Sequence, residues 1–436
     1  MFDETILDRC RGSQSMGLIV TPVDRAHRYR FYRPSWIGRN DMEWFVDCGE
    51  WLPRDDLRPP LLALEQADLA DRRVHPFYRD AEAEMFLARL DGQVVGRIAA
   101  IVGHPFRDGD RVSAAHQGYF GFYEAIDDQA VAGALLGAAA AWLRGRGLTH
   151  LLGPASPSHN YYFGARCLGD EVPPHTPTRF LETYDPEYHH RHFTSWGLAP
   201  ARRLLGYDCY VGGAMGESII ARFDRAINRT IDYTGLTIRA LDLDNFDADI
   251  SLATDLLNRS LAENWGFTPM SPAELLYMAA QLKPLIDPTL VLFAELEGEP
   301  VGISLAMPDY NQVFAAMEGR LRHLARVFTF ENLPLLRRLW PNSHPWAHRR
   351  IDSARVIALG VVPTLKQGTR TTRREQLRIG PALIYRTFTN LRDAGYDTLT
   401  ASWILEENRA MRAPMQIAGI EPSRVWRIYA CDLAAV

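Results

Sequence analysis

The chain is poor in cysteine. Five thiols (Cys10, Cys48, Cys167, Cys209 and Cys431) are scattered over 436 residues, and none forms a CxxC pair. That scatter argues against a zinc ribbon or a redox dithiol and fits reduced thiols in the cytoplasm. Long apolar runs are also missing. The longest, Ala130 to Leu143, spans about 14 residues, too short for a bilayer, and reads as a buried helix. The N-terminus, Met1-Phe-Asp-Glu-Thr-Ile-Leu-Asp8, is acidic and lacks an apolar signal core. Positive charge is not in excess: 48 Lys and Arg stand against 53 Asp and Glu, a net −5, so nucleic acid is not an expected partner. A metal is not expected either. His189-His190-Arg191-His192 has no nearby Cys and no second cluster, and reads as a surface helix.

What is present is a 47% hydrophobic, 23% charged composition, ordinary for a soluble globular protein. The length favours two domains of roughly 200 residues each. Elements of both periods alternate, which predicts an α/β fold around a mixed sheet. Glu84 to Leu90, Asp91-Gly92 and Gln93 to Ile101 read as a hairpin, since Asp-Gly between alternating apolar runs favours a tight turn. Asp127-Asp128 can cap a helix over 129–145, with strands on either side at 115–124 and 148–153. The second half repeats this plan: a strand at 236–241, a helix at 250–263, a hairpin through Glu297-Gly298, and strands at 354–362, 398–405 and 425–432. Gly212-Gly213 and the stretch to about 234 separate two units, 17–215 and 235–436, which suggests duplication.

The informative stretch is 353–436. The buried-strand run Arg355-Val-Ile-Ala-Leu-Gly-Val-Val362 is followed by a turn at Pro363. Lys366, Arg370, Arg373, Arg374 and Arg378 then stand against one acid, Glu375, and a helix is expected from Gly380 to Phe388. A helix N-terminus with arginines around it, placed after a strand, is an anion site suited to the diphosphate of coenzyme A. Backbone groups of Gly360, Val361 and Val362 are candidates to hold a pantetheine arm. Glu406, Glu407 and Asn408 close the next strand, where a Glu could accept a proton. A helix cap is the plainer reading of the same residues. Glu124 ends the equivalent strand of the first half and is a second candidate base; Asn264, Trp265 and Asp309 are candidate substrate-pocket residues.

At these residues the chain resembles the GCN5-related N-acetyltransferase (GNAT) superfamily, in tandem, over most of 18–436. The resemblance is closer to a bacterial two-domain group to which the bacterial ceramide synthases look related. It is carried by His75-Pro-Phe-Tyr-Arg-Asp-Ala-Glu82, Val95 to Ile101, Tyr119 to Glu124, Glu263-Asn-Trp-Gly-Phe267, Leu282-Lys-Pro284, Glu299-Pro-Val-Gly302 and Ser402 to Met411. His75 to Asp80 also matches the short HxxxxD pattern of glycerolipid acyltransferases, but its surroundings match the other group.

The resemblance implies transfer of an acyl group from acyl-CoA or a phosphopantetheine thioester to a primary amine. An acyl carrier protein and transient contact with a membrane surface are partners it allows. An O-acyltransferase and a non-catalytic thioester-binding scaffold are the alternatives. The superfamily's donor-loop run falls on Gln376-Leu-Arg-Ile-Gly-Pro-Ala382, where Gln376, Gly380 and Ala382 keep the spacing and Arg378 replaces a glycine. Asp127 to Gly133, the matching first-half segment, has two acids and no glycine cradle, so donor binding is expected in the second unit alone. Many relatives have a Tyr general acid where this chain has Met415, which carries no exchangeable proton, and Pro414 is expected to disturb that helix. Tyr385 and Tyr429 are the replacement acids considered.

Overall fold

The computed structural model describes residues 17–30, 36–51, 63–103, 107–108, 111–112, 116–168, 176–227, 235–312, 351–363 and 373–436. Alternating apolar runs form the strands of a mixed sheet. In the first half these are β1 (Leu18–Pro22), β2 (Glu82–Leu90), β3 (Gln93–Val102), β6 (Gln117–Ala125), β7 (His150–Gly153), β10 (Ala165–Cys167) and β11 (Ala199–Tyr210). Short pairs β4 (Arg107–Asp108) with β5 (Arg111–Val112), and β8 (Ala155–Ser156) with β9 (Tyr162–Phe163), stand apart. The second half supplies β12 (Leu236–Ala240), β13 (Val291–Leu296), β14 (Glu299–Pro308), β15 (Ser353–Val361), β16 (Thr398–Leu405) and β17 (Arg424–Asp432).

The sheet runs β1-β2-β3-β6-β7-β17-β11-β16-β15-β14-β13-β12, with β10 on β17. The two halves exchange their last strands. First-half β11 pairs with β16 (Leu204 with Leu405 to Tyr210 with Thr398), and second-half β17 pairs with β7 (Tyr429 with Gly153). β11 and β17 then pair with each other, from Ala199 with Ala430 to Gly206 with Arg424.

Helices cover both faces. In the first half, α1 (Asp41–Trp51) and α2 (Ala63–Ala70) enclose one core, around Phe45, Phe77 and Met85. On the other face, α3 (Gln129–Arg144) and α4 (Glu187–Trp196) enclose Phe120, Leu136 and Phe193. In the second half, α5 (Gly213–Ile227), α8 (Arg373–Asp393) and α9 (Arg409–Ala418) cover Ile379, Leu383 and Phe388. Opposite them, α6 (Phe246–Ser260) and α7 (Pro272–Leu282) cover Phe293 and Leu256. The local chemistry explains the helix starts. Asp128 accepts from the N–H groups of Ala130 and Val131 to cap α3. Ser271 accepts from Glu274 N–H, with Pro272 at the first position of α7.

Three expectations are corrected. α8 does not begin at Gly380. It begins at Arg373 and runs through Gly380-Pro381, because the apolar stripe Ile379, Leu383, Phe388, Leu391 is buried against the sheet and outweighs the breaker pair. α9 likewise runs unbroken through Pro414. α4 is not a surface helix: His189, His190 and His192 are all buried. His190 Nδ1 meets the Tyr429 hydroxyl at 2.7 Å, and His192 Nδ1 meets the Tyr123 hydroxyl at 2.9 Å. Burial holds His192 down at about 4, so it packs as a neutral ring.

Candidate functional site

Each half contains a parallel strand pair that opens into a notch. In the second half, β15 and β16 pair only from Ser353 with Thr398 to Val356 with Ala401. The β14–β15 register then slips, so that Ala306 faces Val356 while Leu305 faces Ala358, leaving Ile357 as the extra residue of a bulge. A bulge bends its strand. β15 continues to Val361 and β16 to Leu405 without laddering. Among the described residues, no backbone group is hydrogen-bonded to the β16-facing edge of residues 357–361. Val356, Ile357, Ala358 and Leu359 are only half-buried, although β15 is an inner strand.

The first half builds the same notch and then fills it. β6 and β7 pair from Gln117 with His150 to Tyr119 with Leu152. β6 bulges against β3 where Phe122 takes a positive φ of 50°. The chain leaving β7 enters the gap. Ser156 Oγ accepts the Phe122 N–H at 2.7 Å, and a Cβ on Gly121 would lie 1.7 Å from the Ala155 carbonyl oxygen. Only glycine lets that carbonyl in, and residues 118–125 of β6 are all buried.

Several candidate residues fall at the open notch. Gly360 lies on its wall, where a Cβ would be 2.0 Å from Ser260 Oγ; the missing side chain lets the end of α6 close on β15. Val361 pairs with Gly302, and Val362 donates its N–H to Val301, so their outer edges are held in place. Gly380 and Ala382 pack behind the notch, a Cβ on Gly380 being 3.7 Å from Val361. The first turns of α8, which carry Arg374, Gln376 and Arg378, lie N-terminal to that contact. At 1.5 Å per residue they project about 10 Å past it. The positive dipole end of α8 lies at this N-terminal extension. Lys366 and Arg370 lie outside the described residues.

Others are elsewhere. Glu124 is buried on β6 in the sealed half. Tyr429 is fully buried two strands from β16, hydrogen-bonded to His190, with burial holding its hydroxyl up at about 12, so it cannot meet a thiolate in the notch. Tyr385 turns toward Asp224 of α5. Asn408 caps α9, accepting Met411 N–H at 3.1 Å. Glu406 follows the end of β16 and pairs with Arg203 at 2.6 Å. Asp309 is buried in an ionic cluster, accepting from Phe180 N–H at 2.8 Å and Arg179 at 3.1 Å, which removes it from any substrate pocket. Met415 is buried, its sulfur 3.7 Å from the Cys209 thiol, and supplies no acid. Asn264 closes a turn through its carbonyl, and Trp265 stacks on Phe163 with Arg202 over its ring.

The residues that the sequence did not flag sit where the two halves meet. Arg355, 1% exposed, donates to the carbonyls of Phe180 and Leu181 and to Ser402 Oγ, and its guanidinium lies over Trp403, 4.6 Å from the ring centre. Glu182 accepts from Ser402 and faces Arg424, which also meets Asp208 at 2.5 Å. Burial pushes the Glu182 carboxyl up, but Arg424, Arg355 and Arg166 outweigh it and hold the group below the usual carboxylate range. This cluster fastens the first-half segment 176–185 beneath the second-half notch. Trp403, two residues past the last β15–β16 pair, buries an indole N–H without a hydrogen-bond partner among the described residues. Beside it, the Tyr162 hydroxyl donates to Glu65 Oε1 at 2.8 Å, close enough to Arg355 to feel its charge.

One mixed sheet with two notches, one open and one plugged by its own chain, is the architecture of two GNAT-like units in tandem. No family model matches the chain. It is 32% identical over 371 residues to the bacterial ceramide synthase of Caulobacter vibrioides, covering 84% of this chain and 88% of that protein. It is 27% identical over 403 residues to protein YghO of Escherichia coli K12, covering 91% and 94%. Among solved structures, it overlays a tandem GNAT protein from the clavulanic acid biosynthesis pathway at 12% identity and a TM-score of 0.47, covering 95% of this chain and 98% of that one. A probable N-acyltransferase of Enterococcus faecalis V583 overlays at 9% identity and 0.48, covering 96% and 73%. The chain belongs to the tandem GNAT group of acyltransferases that includes the bacterial ceramide synthase.

Among the described residues, no group of three or more His, Cys, Asp or Glu is placed to hold a metal. No described helix is long and apolar enough to cross a membrane.

Proposed function

We propose that the protein transfers an acyl group from a pantetheine thioester, as acyl-CoA or on a carrier protein, to a primary amine. The donor lies between β15 and β16. The pantetheine arm bonds the free strand edge at Ile357 to Val361, and the diphosphate meets the start of α8 with Arg374, Gln376 and Arg378. The observation that supports this most is the contrast between the notches: the first is filled by Ala155 and Ser156, whereas nothing described is bonded into the second. Holding the thioester beside an acceptor pocket lowers the barrier by orientation, and buried donors such as the Trp403 N–H favour the developing oxyanion.

The acceptor side is aromatic. Tyr161, Tyr162, Trp265, Trp403 and Leu405 are partly buried and pack against one apolar core, which suits an acceptor with a long alkyl chain, in keeping with the ceramide synthase name of the relative. The four described cysteines are free thiols, in keeping with a cytoplasmic reaction. Calorimetry with palmitoyl-CoA, wild type beside Arg378→Ala, tests the donor site. Binding weakened about tenfold, the loss of one charge-assisted contact, is expected. Equal binding by both would remove α8 from the donor site. Product analysis after incubation with a long-chain amino alcohol separates amide from ester.

A further inference from the structure

The sequence has no hydroxyl at the position of the usual acid, and Met415 is packed into the core. A transfer of this kind still has to move one proton, from the attacking nitrogen to the departing sulfur. Three observations bear on where it goes. First, Tyr162 and Glu65 form a direct hydrogen bond at 2.8 Å. Second, Tyr162 packs in the aromatic cluster that includes Trp403 and Leu405, the β16 residues beyond the end of the β15–β16 ladder, and Arg355 of β15 acts on its hydroxyl. Third, both partners are held from outside the notch. Tyr162 lies on β9, which pairs with the β8 strand of the plug, and Glu65 lies on α2, whose Gln66 accepts from Arg97 of β3 while the same guanidinium donates to the Phe45 and Val46 carbonyls of α1. The sealed half therefore presents these two groups to the open one.

We infer that Glu65 and Tyr162 are the proton relay of the transfer, resting on the acyl-transfer reading above. The neutral amine nitrogen bonds to the thioester carbonyl carbon, and the Glu65 carboxylate takes one N–H proton. The C–S bond breaks with its electron pair on sulfur. Tyr162 gives its hydroxyl proton to that thiolate and takes the proton that Glu65 holds. Amide and free thiol leave, and both side chains end in their starting states. Burial and the Glu65 charge keep the Tyr162 proton in place in the resting site. Burial raises the Glu65 carboxyl to about 7, opposed by the Tyr162 hydrogen bond and assisted by Asp68, which brings a carboxylate into the range of a working base. Around this pair stand Asp68 one turn along α2, itself receiving the Tyr277 hydroxyl from α7, and Arg355 behind Tyr162.

Glu65→Gln and Tyr162→Phe, made in the full chain, provide the test, with Tyr385→Phe as a control outside the site. Thiol release from palmitoyl-CoA with a long-chain amine gives kcat and KM, and calorimetry gives donor affinity. The relay requires kcat to fall by roughly 10²-fold in each site variant, donor affinity to stay within threefold, and the control to match wild type. In the wild type kcat should rise with pH through about 7, and Glu65→Gln should lose that rise. Variants that keep both kcat and the pH profile overturn the relay while leaving acyl transfer standing. If kcat and donor affinity fall together with a lowered melting temperature, the pair is structural, and the relay is rejected. A wild type that binds the thioester but transfers to no amine sinks the parent reading, and the relay with it.

Discussion

Glu182 is the residue on which the junction turns. Its two oxygens serve Ser402 and Arg179 N–H and face Arg424 and Arg355, so four partners from both halves depend on one carboxylate. Removing one member of a buried ionic cluster leaves uncompensated charge, which costs about 3–5 kcal/mol. Glu182→Gln is therefore expected to lower unfolding free energy by that amount at pH 7 in denaturant melts. The sign with pH follows from the direction of the shift. A carboxyl held below its ordinary value of 4.5 stabilises the fold above that value and loses the contribution as pH falls through the folded one. Asp208, also depressed, adds to this, whereas Asp309 is raised because burial outweighs Arg179, and acts in the opposite sense. The gap between wild type and Glu182→Gln should thus narrow below about pH 4.5; a gap that stays constant to pH 3 would mean that Glu182 acts by shape alone. None of this was legible in the sequence. Arg355, Glu182 and Arg424 lie far apart along the chain and carry no motif, and Glu65 and Tyr162 sit 97 residues apart. By contrast Gly360, Gly380 and Ala382 were singled out from the sequence, and the structure places Gly360 and Gly380 where β15 is packed closely by Ser260 and by α8.

At the scale of elements, the two notches show how one device gives two outcomes. β6 and β15 each bulge, and a bulge frees one edge of the strand from its parallel neighbour. In the first half the Phe122 N–H is claimed by Ser156, and Gly121 makes room for the Ala155 carbonyl. Gly121→Ala would press a methyl into that carbonyl. The expected cost is about 1–3 kcal/mol from overpacking, read as a lowered melting temperature, with donor affinity at the second notch unchanged. One thioester per chain should bind in either protein. A stoichiometry of two in the wild type would show that the plug leaves the first notch. The sequence expectation of a single donor site rested on Asp127 and Asp128; in the structure Asp128 is the α3 cap, and it is the segment after β7 that fills the first notch. The hairpins and α3 follow from period and turn chemistry. The start of α8 did not, because Gly-Pro was read as a boundary and the buried stripe behind it overrides the breaker.

At the scale of the whole molecule, the exchange of β11 and β17 makes the two halves one folding unit. A sequence with two repeats of like plan suggests two self-contained domains, and periodicity within a strand cannot say which half completes which sheet. The register does: β16 has β11 as its partner on one side, and β7 has β17. Cut at the glycines after Tyr210, the second half would lose β11. It would then expose the edges of β16 and β17 together, with the apolar residues Leu205, Tyr207 and Cys209 missing from its core. Unpaired inner edges of this length template aggregation. A fragment of residues 235–436 is therefore expected to be aggregated or unfolded by circular dichroism and light scattering, while co-expression with 1–234 should restore a folded heterodimer. The intact chain should melt in a single transition seen equally by far-ultraviolet circular dichroism and tryptophan fluorescence. Two separated transitions, or a monomeric folded fragment, would show that the exchanged strands are dispensable. The aromatic cluster around Trp265 and Trp403, drawn from both halves, would then no longer be fixed by the sheet that joins them.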